Sequence, residues 1–165
     1  MRRPQPEPPG PGQESVWDYP RPPRIERSRA TVEVVLGGMT VARTSTPLRV
    51  LETSHPPTYY LPATSFVEGA LRPAEGRSFC EWKGTASYLD VLAGDVVAER
   101  AAWHYPQPTA AFAELIGHVA VYPGLMDRCL VDGETVVPQP GGFYGGWITS
   151  AVVGPFKGEQ GTSFW

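Results

Sequence analysis

The sequence predicts an all-β protein of small α content, built from bent antiparallel sheets. Three observations predict it. Short runs of β-branched and aromatic residues alternate with glycine- and proline-rich turns along most of the chain. One glycine-centred hairpin figure occurs three times. Helical periodicity is confined to a single stretch of barely two turns. The 165 residues include 19 prolines and 18 glycines, and that length suits one domain with its own core.

Taken in order, the chain opens on proline. Eight prolines fall in the first 24 residues, so residues 1–14 are expected to form a disordered Pro-rich tail and residues 15–165 a single β-rich domain. Val16-Trp17-Asp18-Tyr19-Pro20 carries two aromatics that water solvates poorly, and is expected to dock as an arm. Thr31-Val32-Glu33-Val34-Val35 and Thr40-Val41-Ala42-Arg43 flank Gly37-Gly38, a two-residue hairpin signal. Val91-Leu92-Ala93-Gly94-Asp95-Val96 and Leu130-Val131-Asp132-Gly133-Glu134-Thr135 repeat the figure. Shared hairpin chemistry accounts for this likeness; the copies are too short and uneven for a propeller or solenoid. Further strands are expected at 48–53, 78–83, 87–92, 96–105 and 118–122. The one short helix is expected at 109–116, with Thr109 as N-cap, Phe112, Leu115 and Ile116 at helical spacing, and Gly117 beyond its end. The glycine-aromatic stretch 138–147 is expected to be a coil wrapping the domain, anchored by Phe143, Tyr144 and Trp147. Neither the spacing nor the following helix of a phosphate loop is present there.

Composition excludes several function classes. No apolar run approaches the ~18–20 residues that span a bilayer. No apolar stretch follows Arg2 and Arg3 to make a secretory leader, so a cytoplasmic protein is expected. A net charge of −3 offers no basic field for nucleic acid. The two cysteines, Cys80 and Cys129, make neither a disulfide framework nor a CxxC zinc site, and no metal or cofactor is expected. Of the 14 basic residues only Lys83 and Lys157 are lysine, and asparagine is absent. A GC-rich gene would produce both biases; a lysine that persists against such a bias is a candidate for amine chemistry.

Four ordered motifs carry a family resemblance. Leu48-Arg49-Val50-Leu51-Glu52, Pro57-Thr58-Tyr59-Tyr60-Leu61-Pro62, Cys80-Glu81-Trp82-Lys83-Gly84-Thr85-Ala86-Ser87-Tyr88 and Ala102-Trp103-His104-Tyr105-Pro106 resemble the family known as domain of unknown function 427, over residues 31–127. The flanks 16–23 and 139–157 resemble those of an actinobacterial branch. The resemblance implies a β-tent-like barrel. Zinc proteins of that fold use two CxxC pairs, which are missing here, so metal does not carry over. The family also bears a nucleotidyltransferase-like label. Nucleotidyl transfer needs paired carboxylates on one strand to hold Mg²⁺; no Asp-x-Asp occurs, and the label is taken as a name only.

The candidate site residues come from the same motifs. On the expected strand 78–83, alternation places Cys80 and Trp82 on one face and Glu81 and Lys83 on the other. Lys83 reads as an anchor for an anionic or carbonyl-bearing ligand, or as a solvated strand-end charge. Cys80 reads as a nucleophile or as a buried small hydrophobe. A nucleophile would need a base, and His55, His104 and His118 lie in other segments. Glu52 shares a face with Leu48 and Val50, which points it inward towards a partner such as Lys83, unless it reaches solvent past Thr53. Tyr59, Tyr60, Trp82, Tyr88, Trp103 and Tyr105 suit pocket walls, since each offers an apolar face and one polar handle. Three functions fit: a small-molecule-binding domain with an aromatic pocket carrying Lys83 and Glu52, an enzyme of unknown reaction in that pocket, or a structural protein with a partner-binding tail. The first is the reading adopted.

Overall fold

Two-residue turns set the frame of the molecule. In the computed structural model, which describes residues 3–165, β1 is Glu14–Ser15, β2 Arg24–Arg27, β3 Val32–Leu36, β4 Met39–Thr44 and β5 Leu48–Leu51. They are followed by β6 (Thr58–Pro62), β7 (Leu71–Cys80), β8 (Gly84–Ala93), β9 (Val96–His104) and β10 (His118–Val121). The last five are β11 (Arg128–Val131), β12 (Glu134–Thr135), β13 (Val137–Pro138), β14 (Trp147–Ile148) and β15 (Val152–Val153). All three glycine-centred figures are hairpins, pairing Leu36 with Met39, Ala93 with Val96 and Val131 with Glu134. Gly37 and Gly38 both have positive φ, as do Asp132 and Gly133, while the third turn needs it only at Gly94. These are the conformations that match the twist of the flanking strands.

Two large antiparallel sheets result, with two-stranded pairings β1–β15 and β13–β14 beside them. Seven strands run in the order β2-β5-β6-β10-β9-β8-β7 and four in the order β12-β11-β3-β4. The larger sheet bends where its register breaks, between Pro73 and Arg77 on β7 and between Leu89 and Val91 on β8. At the second break Arg100 has a φ of 51°, and the Asp90 carboxylate accepts its backbone N–H at 2.9 Å and the Arg72 guanidinium at 2.7 Å. Such bulges add curvature. They do not close the sheet: β2 and β7 remain edges, so the fold is a pair of bent sheets rather than a closed barrel. The exposed edge β7 carries Arg72, Pro73, Glu75 and Arg77, residues that discourage edge pairing.

Two cores lie on the two faces of the larger sheet. Between the sheets, Val32, Val34, Leu36 and Val41 pack on Leu61, Val91, Val119 and Val121, with fully buried Trp147 among them. The opposite face gathers Leu48, Val50, Tyr60, Trp103, Tyr105 and Ala120 under Phe112 and Leu115. The arm builds a third cluster. Val16, Trp17 and Tyr19 bury against Leu51 and Val152, and Trp17 Nε1 donates to the Pro155 carbonyl at 2.9 Å.

Several expected elements take a different form. Of the expected disordered tail, residues 1 and 2 lie outside the described residues. From Glu7 onward the segment is laid on the domain: Glu7 N–H donates to the Gly154 carbonyl and Glu14 N–H to that of Ala151, both at 2.8 Å, and β1 pairs in parallel with β15. The ladder satisfies backbone groups between the prolines. The expected helix at 109–116 is present at Ala110–Leu115 but wound as 3₁₀ and kinked at Phe112. Two turns make too few hydrogen bonds to hold an α-helix, and docking of Phe112 and Leu115 sets the path. The expected strand 78–83 ends at Cys80, which pairs with Gly84; Glu81, Trp82 and Lys83 are the connection of the β7–β8 hairpin, so strand alternation does not govern them. Of the expected anchors in 138–147, Trp147 is fully buried, Tyr144 is half-buried and Phe143 is 70% exposed. No helix among the described residues is long and apolar enough to cross a membrane.

Candidate functional site

The face of the larger sheet turned away from the smaller one holds a cavity of about 340 Å³. Its floor follows from strand alternation. On β6, Tyr60 points into it while Tyr59 and Leu61 join the inter-sheet core. Trp103 on β9 and Tyr105 just beyond lie beside Tyr60. Trp103 Nε1 donates to the Tyr60 hydroxyl at 3.2 Å, and its ring stands 4.6 Å from that of Tyr122. Burial pushes the Tyr60 and Tyr105 phenols far up and keeps them neutral donors or acceptors. Burial, with the neighbouring Tyr88 hydroxyl, pushes Tyr122 up to about 12.

One wall is the β7–β8 turn. Gly84 takes a φ of 106°, which glycine alone adopts readily, and this tightens the turn. The Thr109 hydroxyl, expected to cap a helix, instead donates to the Trp82 carbonyl, and Thr109 N–H donates to the Lys83 carbonyl at 3.1 Å. The turn so held aims Lys83 Nζ over the Tyr105 ring, 5.7 Å from its centre.

The opposite wall is a hydrogen-bonded frame around Glu52. His55 N–H donates to the Glu52 carbonyl at 3.0 Å, closing a turn whose third residue, Ser54, has a φ of 73°. This brings His55 Nε2 to 3.4 Å from Glu52 Oε2. Gln139 is only 4% exposed. Its Oε1 accepts Gly146 N–H at 3.1 Å, which orients the amide. Its Nε2 therefore donates, to the Lys157 carbonyl at 2.8 Å and to His55 Nδ1 at 3.0 Å. His55 Nδ1 is thus an acceptor, and the ring carries its proton on Nε2, facing Glu52. Burial pushes the Glu52 carboxyl up, but the adjoining His55 ring and the Lys83 and Arg21 charges outweigh it and hold the group below its usual range. Glu52 is a fixed carboxylate with the His55 Nε2–H beside it and Arg21 as its ion-pair partner. The expected direct pairing with Lys83 is absent: the hairpin turn carries the lysine to Tyr105 instead.

The roof is a strap made by residues 138–147. A Cβ on Gly145 would stand 2.1 Å from the Trp103 ring, and one on Gly146 would stand 2.4 Å from Gln139 Oε1. The two glycines let the strap descend onto the indole and onto the orienting amide. Phe79 and Phe143, 77% and 70% exposed, flank the cavity as aromatic lips. Lys157 also lines it, with Nζ 5.7 Å from the Tyr144 ring centre. Partial burial and the Arg21 charge hold this amine below its usual range, against the pull of Glu52. Seven arginine–carboxylate ion pairs occur among the described residues, and none uses a lysine.

Of the residues singled out in the sequence, Glu52, Tyr60, Cys80, Trp82, Lys83, Tyr88, Trp103 and Tyr105 line this cavity. Tyr59 does not: the pleat sends it to the other face, against Trp147 at 5.0 Å. His55, Gln139, Tyr144 and Lys157 were not foreseen. As lining residues they carried no signal: the sequence offered His55 only as a base for Cys80, Tyr144 only as an anchor of the coil and Lys157 only as one of two lysines. His55, the histidine that lines the cavity with Cys80, has both ring nitrogens turned to protein groups, and Cys129 is buried, which pushes its thiol up to about 12. One Asp-x-Glu does occur, Asp132-Gly133-Glu134. It lies on the β11–β12 turn, where Asp132 accepts Thr31 N–H at 2.8 Å and Glu134 accepts Ser150 N–H at 2.7 Å. Both carboxylates are occupied structurally. No group of three or more His, Cys, Asp or Glu side chains is gathered among the described residues.

A family model described as a domain of unknown function (DUF427), and labelled as a nucleotidyltransferase-like family, matches residues 24–132. The chain therefore belongs to that family. No curated protein matches it.

Proposed function

We propose that this DUF427 member binds a small, flat, anionic molecule, its ring on the aromatic floor and its negative group between the lysines. One observation carries the reading. The chain's only two lysines line the same cavity, each on a tyrosine face and neither paired with an Asp or Glu side chain among the described residues. A cation left unneutralised in a partly desolvated aromatic cavity favours an anion as its partner. The volume lies at the lower end of the roughly 300–1,000 Å³ usual for ligand sites, which restricts the guest to a small one. Glu52 adds an acceptor for an N–H or O–H on the ligand. We further read the protein as cytoplasmic, with a small molecule rather than nucleic acid as partner, since a net charge of −3 supplies no basic track.

Ligand-observed fluorine NMR tests this with para-fluorobenzoate and its neutral counterpart para-fluorobenzamide. The acid should broaden saturably, more than the amide, and the effect should vanish in Lys83→Met/Lys157→Met. Equal broadening by both probes, or persistence in the double variant, would overturn the proposal.

A further inference from the structure

A second cavity, of about 500 Å³, adjoins the first and shares Tyr88, Tyr122, Gln139 and Tyr144 with it. Its remaining walls are residues 123–125, Pro138 and Gly142 of the strap, and Arg100. Arg100 is the only charged residue that lines it among the described residues. An irregularity of the sheet places this side chain. Arg100 lies in the register break opposite Asp90, in the left-handed region at a φ of 51°. A non-glycine residue keeps that conformation only where its surroundings impose it. Asp90 imposes it: one carboxylate oxygen accepts the Arg100 N–H at 2.9 Å, and the other accepts the Arg72 guanidinium at 2.7 and 3.1 Å. A bulge of this kind re-aims a side chain. Here the Arg100 guanidinium comes to lie over Tyr88, 4.7 Å from the ring centre. Gly76 on β7 leaves it room, since a Cβ there would stand 2.8 Å from Arg100 Nη2. Asp90 is committed to Arg72 and to the backbone, and no carboxylate lies at ion-pair distance from Arg100 among the described residues. The side chain is exposed, so an incoming oxyanion reaches its N–H fork without displacing a protein carboxylate.

We infer that this cavity is a second anion subsite, centred on Arg100, and that the ligand is a dianion spanning both cavities. Its ring lies on the aromatic floor with one acidic group by the lysines. A second acidic group, on a short arm, meets the Arg100 fork. The inference rests on the binding reading above and names its ligand class. The shared wall favours one molecule over two. Tyr88 lines both cavities and carries the Arg100 guanidinium on its ring, so a guest beside Tyr88 in the first cavity is already next to the arginine. The chemistry favours an anion over a neutral polar group. A guanidinium offers two parallel N–H donors, which the two oxygens of a carboxylate accept together and a neutral amide cannot match.

Isothermal titration calorimetry on the full chain tests this with three probes of graded arm length: para-(carboxymethyl)benzoate, para-(carboxyethyl)benzoate and para-(carboxypropyl)benzoate. Each is compared with the benzoate whose arm ends in the neutral amide. At one arm length or more, the acid should bind about tenfold tighter than its amide, the worth of one charge-assisted contact, with one molecule per chain. That advantage should disappear in Arg100→Met, which keeps an apolar stem and removes the charge; an unchanged melting midpoint shows its fold. Equal binding of acid and amide at every arm length would overturn the inference on the parent chain alone. So would an advantage that persists in Arg100→Met. Two molecules of para-fluorobenzoate per chain would show two separate sites and overturn it as well. Saturable, lysine-dependent binding of para-fluorobenzoate with no gain from the arm carboxylate would leave the binding reading standing and end this one. No binding of any probe would end both.

Discussion

Tyr59 and Tyr60 are neighbours on β6 and lie on opposite faces of the same sheet. Tyr59 packs on Trp147 in a core filled from the second sheet, among fully or nearly fully buried Val34, Leu61 and Val119. Tyr60 faces a layer made of a kinked 3₁₀ segment, a hairpin turn, the Glu52–His55 turn and a glycine strap. The dry face is apolar nearly throughout. On the other face, where cover is incomplete, hydroxyls, an indole N–H, two amines and a carboxylate gather. One sheet can therefore spend one side on stability and leave the other for chemistry, because the pleat separates the two residue sets at every second position.

The sharpest way to break this comparison is to truncate both sides. Trp147→Ala should cost about 3–5 kcal/mol in urea unfolding, because the dry core cannot refill the space. Trp103→Ala, whose ring already borders the cavity, should cost less; equal losses would show that the faces do not differ energetically. Gly145→Ala comes next. Its Cβ meets the Trp103 ring, and overpacking of this kind costs about 1–3 kcal/mol, with a change in tryptophan emission as the strap lifts. Unchanged emission would mean that the strap does not rest on the indole.

Glu52 gives a smaller, pH-dependent effect. Its folded-state carboxyl titrates below the ordinary value of 4.5. Its contribution is thus fully present above pH 4.5 and is lost as pH falls through the folded value. The stability of Glu52→Gln should fall less steeply below pH 4.5 than that of the parent chain, read as urea midpoints across an acid series. Parallel curves would show that the frame does not stabilise the carboxylate. Lys83→Met should change stability least, by no more than about 0.5 kcal/mol, because no carboxylate among the described residues pairs with it. A loss of about 3–5 kcal/mol, the cost of breaking a buried pair, would place Lys83 in direct contact with Glu52.

The strands were legible because their signals are local. Gly37-Gly38, Gly94-Asp95 and Asp132-Gly133 each declare a turn, and the runs beside them can only pair. Tyr60, Trp103 and Lys83 were legible as site residues because motifs held them together. The turn at Glu81-Trp82-Lys83 was not, since no glycine, proline or asparagine marks it before Gly84 and its residues read equally well as strand. The frame around Glu52 was hidden for another reason. His55, Gln139 and Lys157 meet only after the strap folds back across a separation of 84 residues between the first two. No periodicity in a single sequence encodes such a meeting.

The strap has a consequence for how this site can vary. The floor, the β7–β8 turn and Glu52 lie inside the family-matched segment, residues 24–132, whereas Gln139, Tyr144, Gly145 and Lys157 lie beyond it. The cavity is therefore a composite of a family-defined half and an appended half, joined by side-chain contacts and a few hydrogen bonds rather than by the central sheet pairing. A different appended segment could install another amine, or none, over the same aromatic bed, and so redirect the guest while the parental sheet stays as it is.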